Sequence, residues 1–126
     1  MTRFVRSGHT IILLDDEDAV LRATRRMLKA HGHLCYTATV GEEVLSLLGD
    51  MLPDLVILDI KIVGGLGGIE TMQSIRQLGF TMPIFSMSGY SASEIFETPN
   101  IEEGFTAHIE KPFDGNRLSA LISEYC

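Results

Sequence analysis

The sequence predicts an α/β protein in which five strands alternate with five helices, giving an open parallel sheet with helices on both faces. Three observations lead there. Ile11–Leu14 and Leu55–Leu58 are apolar runs of four residues, and such runs read as strands buried on both faces. Between the runs, apolar residues recur at three- and four-residue spacing, the period of a helix laying one stripe on a core. Finally, the runs end in chemistry-bearing residues, and the carboxyl edge of an open α/β sheet is where ligands bind. At 126 residues the chain suits one domain with one core and right-handed crossovers.

Taken in order, residues 1–9 read as a lead-in and residues 10–126 as the domain. Thr10–Leu14 is the first strand. Asp18–Ala30 is a helix, with Val20, Ala23, Met27 and Ala30 expected on the inner stripe and Arg22, Arg25, Arg26 and Lys29 towards water. Asp16 or Asp18 is placed to cap it, and His31-Gly32-His33 ends it. Leu34–Ala38 is the second strand. Gly41–Leu48 is the second helix, with Val44, Leu47 and Leu48 inward. The third strand is Leu55–Leu58. Ile69, Met72, Ile75 and Arg76 mark the third helix, which stops at Gly79. Met82–Met87 is the fourth strand, Ser91–Glu97 a short fourth helix cut off by Pro99, and Phe105–Ile109 the fifth strand. Leu118, Leu121, Ile122 and Tyr125 stand at helical spacing and define the last helix.

Composition narrows the function classes. A net charge of −7 argues against a nucleic-acid-binding surface. No apolar run approaches a membrane span, and Met1–Arg6 has no apolar core behind its basic residues to make a secretory signal. Cys35 and Cys126 are the only cysteines, too few for a disulfide framework, so both read as free thiols in a reducing cytosol. His9, His31, His33 and His108 are too scattered for a metal site.

The chemistry gathers at one edge. Asp59 closes the third strand, and four glycines in the five residues from Gly64 to Gly68 make the next segment a pliable loop rather than a helix. The first strand ends in Asp15-Asp16-Glu17-Asp18. Adjacent parallel strands would set that cluster beside Asp59, and carboxylates sharing one pocket call for a cation. Oxygen-only donors favour Mg²⁺, Mn²⁺ or Ca²⁺ over Zn²⁺. The same edge offers Ser88 after the fourth strand and Lys111 after the fifth. Alone, each has an ordinary reading: a helix cap for an aspartate, a turn for Ser88, solvent for a lysine. Helix capping does not account for two acids at one strand end.

With Asp15-Asp16-Glu17, Asp59, Ser88-Gly89 and Lys111-Pro112-Phe113 in this order and at these strand ends, the sequence resembles the receiver domain of two-component response regulators over about residues 10–125. The resemblance implies a flavodoxin-like sheet of order 2-1-3-4-5. It implies that Asp59 is the phosphoacceptor, taking a phosphoryl group from a histidine kinase or phosphotransfer domain. Mg²⁺ would be held by Asp15, Asp16, Asp59 and the backbone carbonyl of Lys61. Ser88 and Lys111 would bind the phosphoryl group, and the Lys111-Pro112 bond would be cis. Ser88 and His108 would form the switch, displacing the face made by the fourth helix, fifth strand and last helix towards a partner or an output domain, fused or separate.

Some positions depart from the common pattern. Val63 stands where receivers usually have proline, and the loop after it is one residue longer. The Gly64–Gly68 form, with Ser88-Gly89-Tyr90-Ser91, looks more like receivers fused to hybrid sensor histidine kinases. His108 stands where the family has tyrosine or phenylalanine. A rival reading comes from Asp16-Glu17-Asp18-Ala19-Val20, which also fits the Asp-x-Asp-x-Val pattern of haloacid-dehalogenase-type phosphatases. There Asp16 would be nucleophile and Asp18 general acid, although a late acidic pair for the metal is missing.

Overall fold

The two apolar runs lie at the centre of a five-stranded parallel sheet. The computed structural model of the protein describes residues 8–91 and 103–126. Within them, β1 (Thr10–Leu14), α1 (Asp18–Ala30), β2 (Leu34–Ala38), α2 (Gly41–Leu48), β3 (Leu55–Asp59), α3 (Gly68–Gln77), β4 (Ile84–Ser88), β5 (Ala107–Glu110) and α4 (Gly115–Tyr125) follow one another. The strand order is β2-β1-β3-β4-β5, as the resemblance implies. β1 and β3 sit inside the sheet with no residue from Ile11 to Leu14 or from Leu55 to Leu58 exposed. That is why neither shows polar alternation.

Alternate residues of each strand feed two cores. Ile11, Leu13, Ile57, Phe85 and Ile109 pack with Leu21 and Leu28 of α1 and Leu118, Leu121 and Ile122 of α4. Ile12, Leu14, Val56, Leu58 and Ile84 pack with Val44 and Leu48 of α2 and Met72 and Ile75 of α3. Helices therefore cover both faces. The fourth helix expected over Ser91–Glu97 falls, apart from Ser91, outside the described residues.

Two strand starts differ from expectation for local reasons. β4 begins at Ile84 rather than Met82. Pro83 has no N–H to give the ladder and contributes only its carbonyl, which accepts from Val56 N at 3.1 Å. β5 begins at Ala107 because the hydroxyl of Thr106 takes the ladder position, accepting from Ile84 N at 3.1 Å. The inner stripe of α1 also differs. Leu21, Thr24 and Leu28 are buried, whereas Ala23 and Ala30 are exposed, so the helix is rotated by one residue from the expected stripe.

Candidate functional site

Sheet register builds the pocket. Leu14 and Leu58 are partners across β1 and β3, so the next residues, Asp15 and Asp59, leave the two strands side by side. Asp59 is in turn the partner of Met87 on β4, which puts Ser88 one step beyond it. Asp15 is fully buried and Asp59 is 5% exposed. Asp16, half-buried on the rim, has a carboxylate oxygen that, with one each from Asp15 and Asp59, forms a trio lying within 4.8 Å of one another.

Each carboxylate is held by different means. Asp15 Oδ1 accepts from Glu17 N at 2.9 Å. Asp16 Oδ2 accepts from Val63 N at 3.1 Å, drawing the glycine-dense loop across the pocket. Asp59 Oδ1 accepts from Lys61 N at 3.4 Å. Glu17 stands at the N-cap of α1 and makes no side-chain cap: Asp16 is spent on the loop, and Asp18 pairs with Arg22 at 3.0 Å. Gly68 allows α3 to begin directly against the end of β3. A Cβ there would stand 2.5 Å from the carbonyl oxygen of Asp59.

Lys111 is the one cation the pocket receives among the described residues. It precedes Pro112 across a cis peptide bond, and its backbone N–H donates to Ser88 O at 2.6 Å. Its Nζ donates to Asp15 Oδ2 at 2.7 Å and to Asp59 Oδ2 at 3.2 Å. One ammonium does not balance three carboxylates. Burial pushes the Asp59 carboxyl up to about 6, with Lys111 opposing the rise and Asp15 adding to it. Lys111 is held above the ordinary lysine value: its burial acts the other way and is outweighed by the bonds and charges of Asp15 and Asp59. An excess of buried negative charge on oxygen donors suits a hard divalent cation.

Ser88 and His108 lie on the β4–β5 side. Ser88 Oγ accepts from Tyr90 N at 3.0 Å and donates to Tyr90 O at 3.3 Å. His108 is buried, with Nδ1 2.7 Å from Ser86 Oγ and Nε2 2.8 Å from Tyr90 O. Ser86 and the Tyr90 carbonyl are contributors that sequence reasoning missed. A lone serine inside an apolar strand carries no mark of its partner until β4 and β5 are aligned. The rival phosphatase pair does not form. Asp18 points to solvent on α1 with Arg22 as its partner, while Asp16 faces the loop.

The response regulator receiver domain family matches residues 11–123. The chain belongs to this family. The receiver is 32% identical over 113 residues to the transcriptional regulatory protein AfsQ1 of Streptomyces coelicolor, an alignment covering 90% of this chain and 49% of that protein. It is 25% identical over 115 residues to sporulation initiation phosphotransferase F of Bacillus subtilis, covering 91% of each. Among solved structures, the CheY-like response regulator receiver domain protein of Methanospirillum hungatei superposes with a TM-score of 0.81 at 27% identity, covering 94% of this chain and 93% of that one. NtrX of Brucella abortus superposes at 0.85 with 28% identity, covering 94% of this chain and 26% of NtrX. The receiver thus spans about half of AfsQ1 and about a quarter of NtrX.

Proposed function

We propose that residues 10–126 form a phosphoacceptor domain, preceded by a lead-in at 1–9, in which Asp59 takes a phosphoryl group from the phosphohistidine of a histidine kinase or phosphotransfer domain. The observation that carries this is the Lys111 ammonium bridging two buried carboxylates while a third stands within 4.8 Å. At neutral pH Asp59 is ionised, since its carboxyl titrates at about 6, and an ionised carboxylate is a competent nucleophile. One of its oxygens forms the new P–O bond as the donor's P–N bond breaks. The electron pair returns to the imidazole, which departs neutral with its other nitrogen protonated. Lys111, already beside Asp59, pairs with the phosphoryl oxygens, and Ser88 offers them its hydroxyl.

Asp15, Asp16, Asp59 and the Lys61 carbonyl are the residues that would hold Mg²⁺. When bound, that ion supplies the positive charge that a transferring phosphoryl group needs. Ser88 and His108 carry the change outward to β5, α4 and the segment before β5. The donor approaches over a groove of about 500 Å³ next to Lys111, lined by Val20, Ala23, Met27, Pro112 and Phe113. Its half-exposed apolar side chains suit a helical partner. AfsQ1 and phosphotransferase F carry names for two different outputs, gene regulation and onward phosphotransfer. Either an output domain or a further carrier would receive the signal here. The likeness of the Gly64–Gly68 loop to those of receivers fused to hybrid sensor histidine kinases favours a donor kinase fused to the receiver. Two free thiols, Cys35 and Cys126, suit the cytosol.

Intact-mass measurement with acetyl phosphate and Mg²⁺ tests the reading. The expected result is a gain of one phosphoryl group that is absent in Asp59→Asn and without Mg²⁺. Labelling that survives Asp59→Asn and disappears in Asp16→Asn would overturn it.

A further inference from the structure

The β4–β5 register makes Ser86 and His108 direct partners, and their side chains are joined at 2.7 Å. Ser86 is fully buried between Phe85 and Met87, and His108 is 8% exposed. A hydroxyl at such a position is costly unless it is paired, so Ser86 and His108 explain each other. The proton positions are set by the partners. Tyr90 O, 2.8 Å from His108 Nε2, can only accept, so Nε2 carries the hydrogen. In the neutral imidazole Nδ1 is then the acceptor, and the Ser86 hydroxyl donates to it. Ser86 Oγ also lies 3.4 Å from Ala107 O, a longer and weaker alternative. Beyond the ring, Tyr90 N donates to Ser88 Oγ and Tyr90 O accepts from the Ser88 hydroxyl. A continuous hydrogen-bonded chain, Ser86–His108–Tyr90–Ser88, runs from inside the sheet to the pocket.

We propose that Ser86 and His108 are positioning residues that clamp the Ser88–Tyr90 turn by its Tyr90 carbonyl. This rests on the reading of Ser88 as a phosphoryl ligand. For Ser88 to donate to a phosphoryl oxygen, its hydroxyl must turn away from Tyr90 O. Because His108 Nε2–H stays on that carbonyl, the turn loses one donor without leaving the carbonyl unpaired. The Nε2–H bond therefore keeps ring and turn together while the serine hydroxyl changes partner, so a shift of the turn reaches β5 through His108. A phenylalanine at 108 would fill the space and make neither bond; a tyrosine hydroxyl could not bond both Ser86 and Tyr90 with the two-sided geometry of the ring nitrogens. Tyr90 O selects the tautomer with the hydrogen on Nε2, and Ser86 donates to the Nδ1 lone pair that this leaves inside the sheet.

Nitrogen-15 spectra of the histidine ring and backbone amides of the free protein test the clamp directly. The expected result is one tautomer for His108, with Nε2 protonated and Nδ1 bare. Ser86→Ala should leave Nε2 protonated and move the Nδ1 signal, since that nitrogen loses its donor. His108→Phe, which keeps an aromatic ring but neither ring nitrogen, should shift and broaden the amides of Ser88–Tyr90. It should also slow labelling of Asp59 by acetyl phosphate and Mg²⁺ roughly threefold to tenfold, the range expected for one lost hydrogen bond. His108→Gln, which retains an N–H towards Tyr90 O, should recover part of the rate. An Nδ1-protonated ring, or His108→Phe amides and rate equal to wild type, would overturn the clamp. If His108→Phe fails to fold, the two ring-nitrogen signals of wild type and Ser86→Ala decide. If wild type gains no phosphoryl mass, the phosphoacceptor reading falls, whereas the ring and turn signals still decide the clamp.

Discussion

Both ends of β1 carry ionisable side chains, and the two groups are held on opposite terms. At the carboxyl end, Asp15 and Asp59 are buried and Lys111 is shared between them. At the amino end, His9, His33 and Asp54 are part-exposed, and the polar groups described there bond to backbone or to one another. His33 Nδ1 accepts from His9 N at 2.9 Å, Asp54 Oδ2 accepts from Thr10 N at 2.8 Å, and the two imidazoles stack at 5.5 Å. His9 and Asp54 approach only to 3.9 Å. One end ties strands together with charges in water. The other keeps more negative charge out of water than its single ammonium can balance. Uncompensated burial, rather than the presence of charge, marks the working end of the sheet.

The largest expected difference between the two ends is chemical. Asp59→Asn should reduce phosphoryl labelling by about a hundredfold or more, because it removes the proposed nucleophile. Asp54→Asn should leave labelling within about twofold of wild type, since it removes only a charge at the far edge and its amide oxygen can still accept from Thr10 N. Parallel mass spectra of the two variants after acetyl phosphate treatment measure the contrast.

Next comes Lys111→Met in metal-free protein. It leaves Asp15 and Asp59 facing each other without a counter-charge, and stability measured by urea unfolding should fall by about 2–4 kcal/mol. Added Mg²⁺ should restore part of that loss by binding the folded state.

Asp59→Asn has a smaller effect in the opposite direction. The Asp59 carboxyl titrates at about 6 in the folded protein against an ordinary 3.8. The folded state therefore binds this proton more tightly than the unfolded chain. Its contribution to stability is fully present below about 4 and is lost as pH rises to about 6. Removing the charge should make metal-free Asp59→Asn more stable than wild type by about 1–3 kcal/mol at pH 7. Below pH 4 the two should converge. A variant no more stable at pH 7 than at pH 4, relative to wild type, would show that the pocket is not strained by its charge.

The smallest effect belongs to the amino end. The His33 imidazole is held below its ordinary 6.5, first by burial and then by His9 and His31. Its neutral form accepts from His9 N. That bond is intact above about 6.5 and is lost as pH falls through the lowered value. His33→Gln should cost about 0.5–1 kcal/mol at pH 7.5, by the measure of one solvent-screened hydrogen bond. The cost should shrink towards pH 5, with no change in labelling. The two pH profiles thus run in opposite senses, and thermal melts across pH 4–8 compare them directly.

Much of this arrangement was legible in the residues. Apolar runs ending in acid, hydroxyl or ammonium placed Asp15, Asp16, Asp59, Ser88 and Lys111 at one edge, because a buried strand must end where its apolar run ends. The face of α1 was not legible. Val20, Ala23, Met27 and Ala30 make as good a stripe as Leu21, Thr24 and Leu28, and only packing on β1 shows that a threonine lies inside and two alanines outside. The Ser86–His108 bond was hidden for a different reason. It joins residues 22 positions apart, and the pairing exists only through strand register.

Leu14 and Leu58 being partners has one more consequence. The gap between the two strand ends is inherited from the backbone ladder, whose strands stand about 4.8 Å apart whatever their side chains. The sheet therefore acts as a fixed gauge on two of the three carboxylates. Only Asp16, tied to the loop at Val63, can move inward or outward. Discrimination between a smaller and a larger divalent ion would fall to that loop, and lengthening or stiffening it would retune the pocket without touching the sheet. The gauge is also all-or-none. Inserting one residue before Asp15 would turn the side chain to the opposite face of the sheet, leaving Asp59 with Lys111 and no partner across the gap.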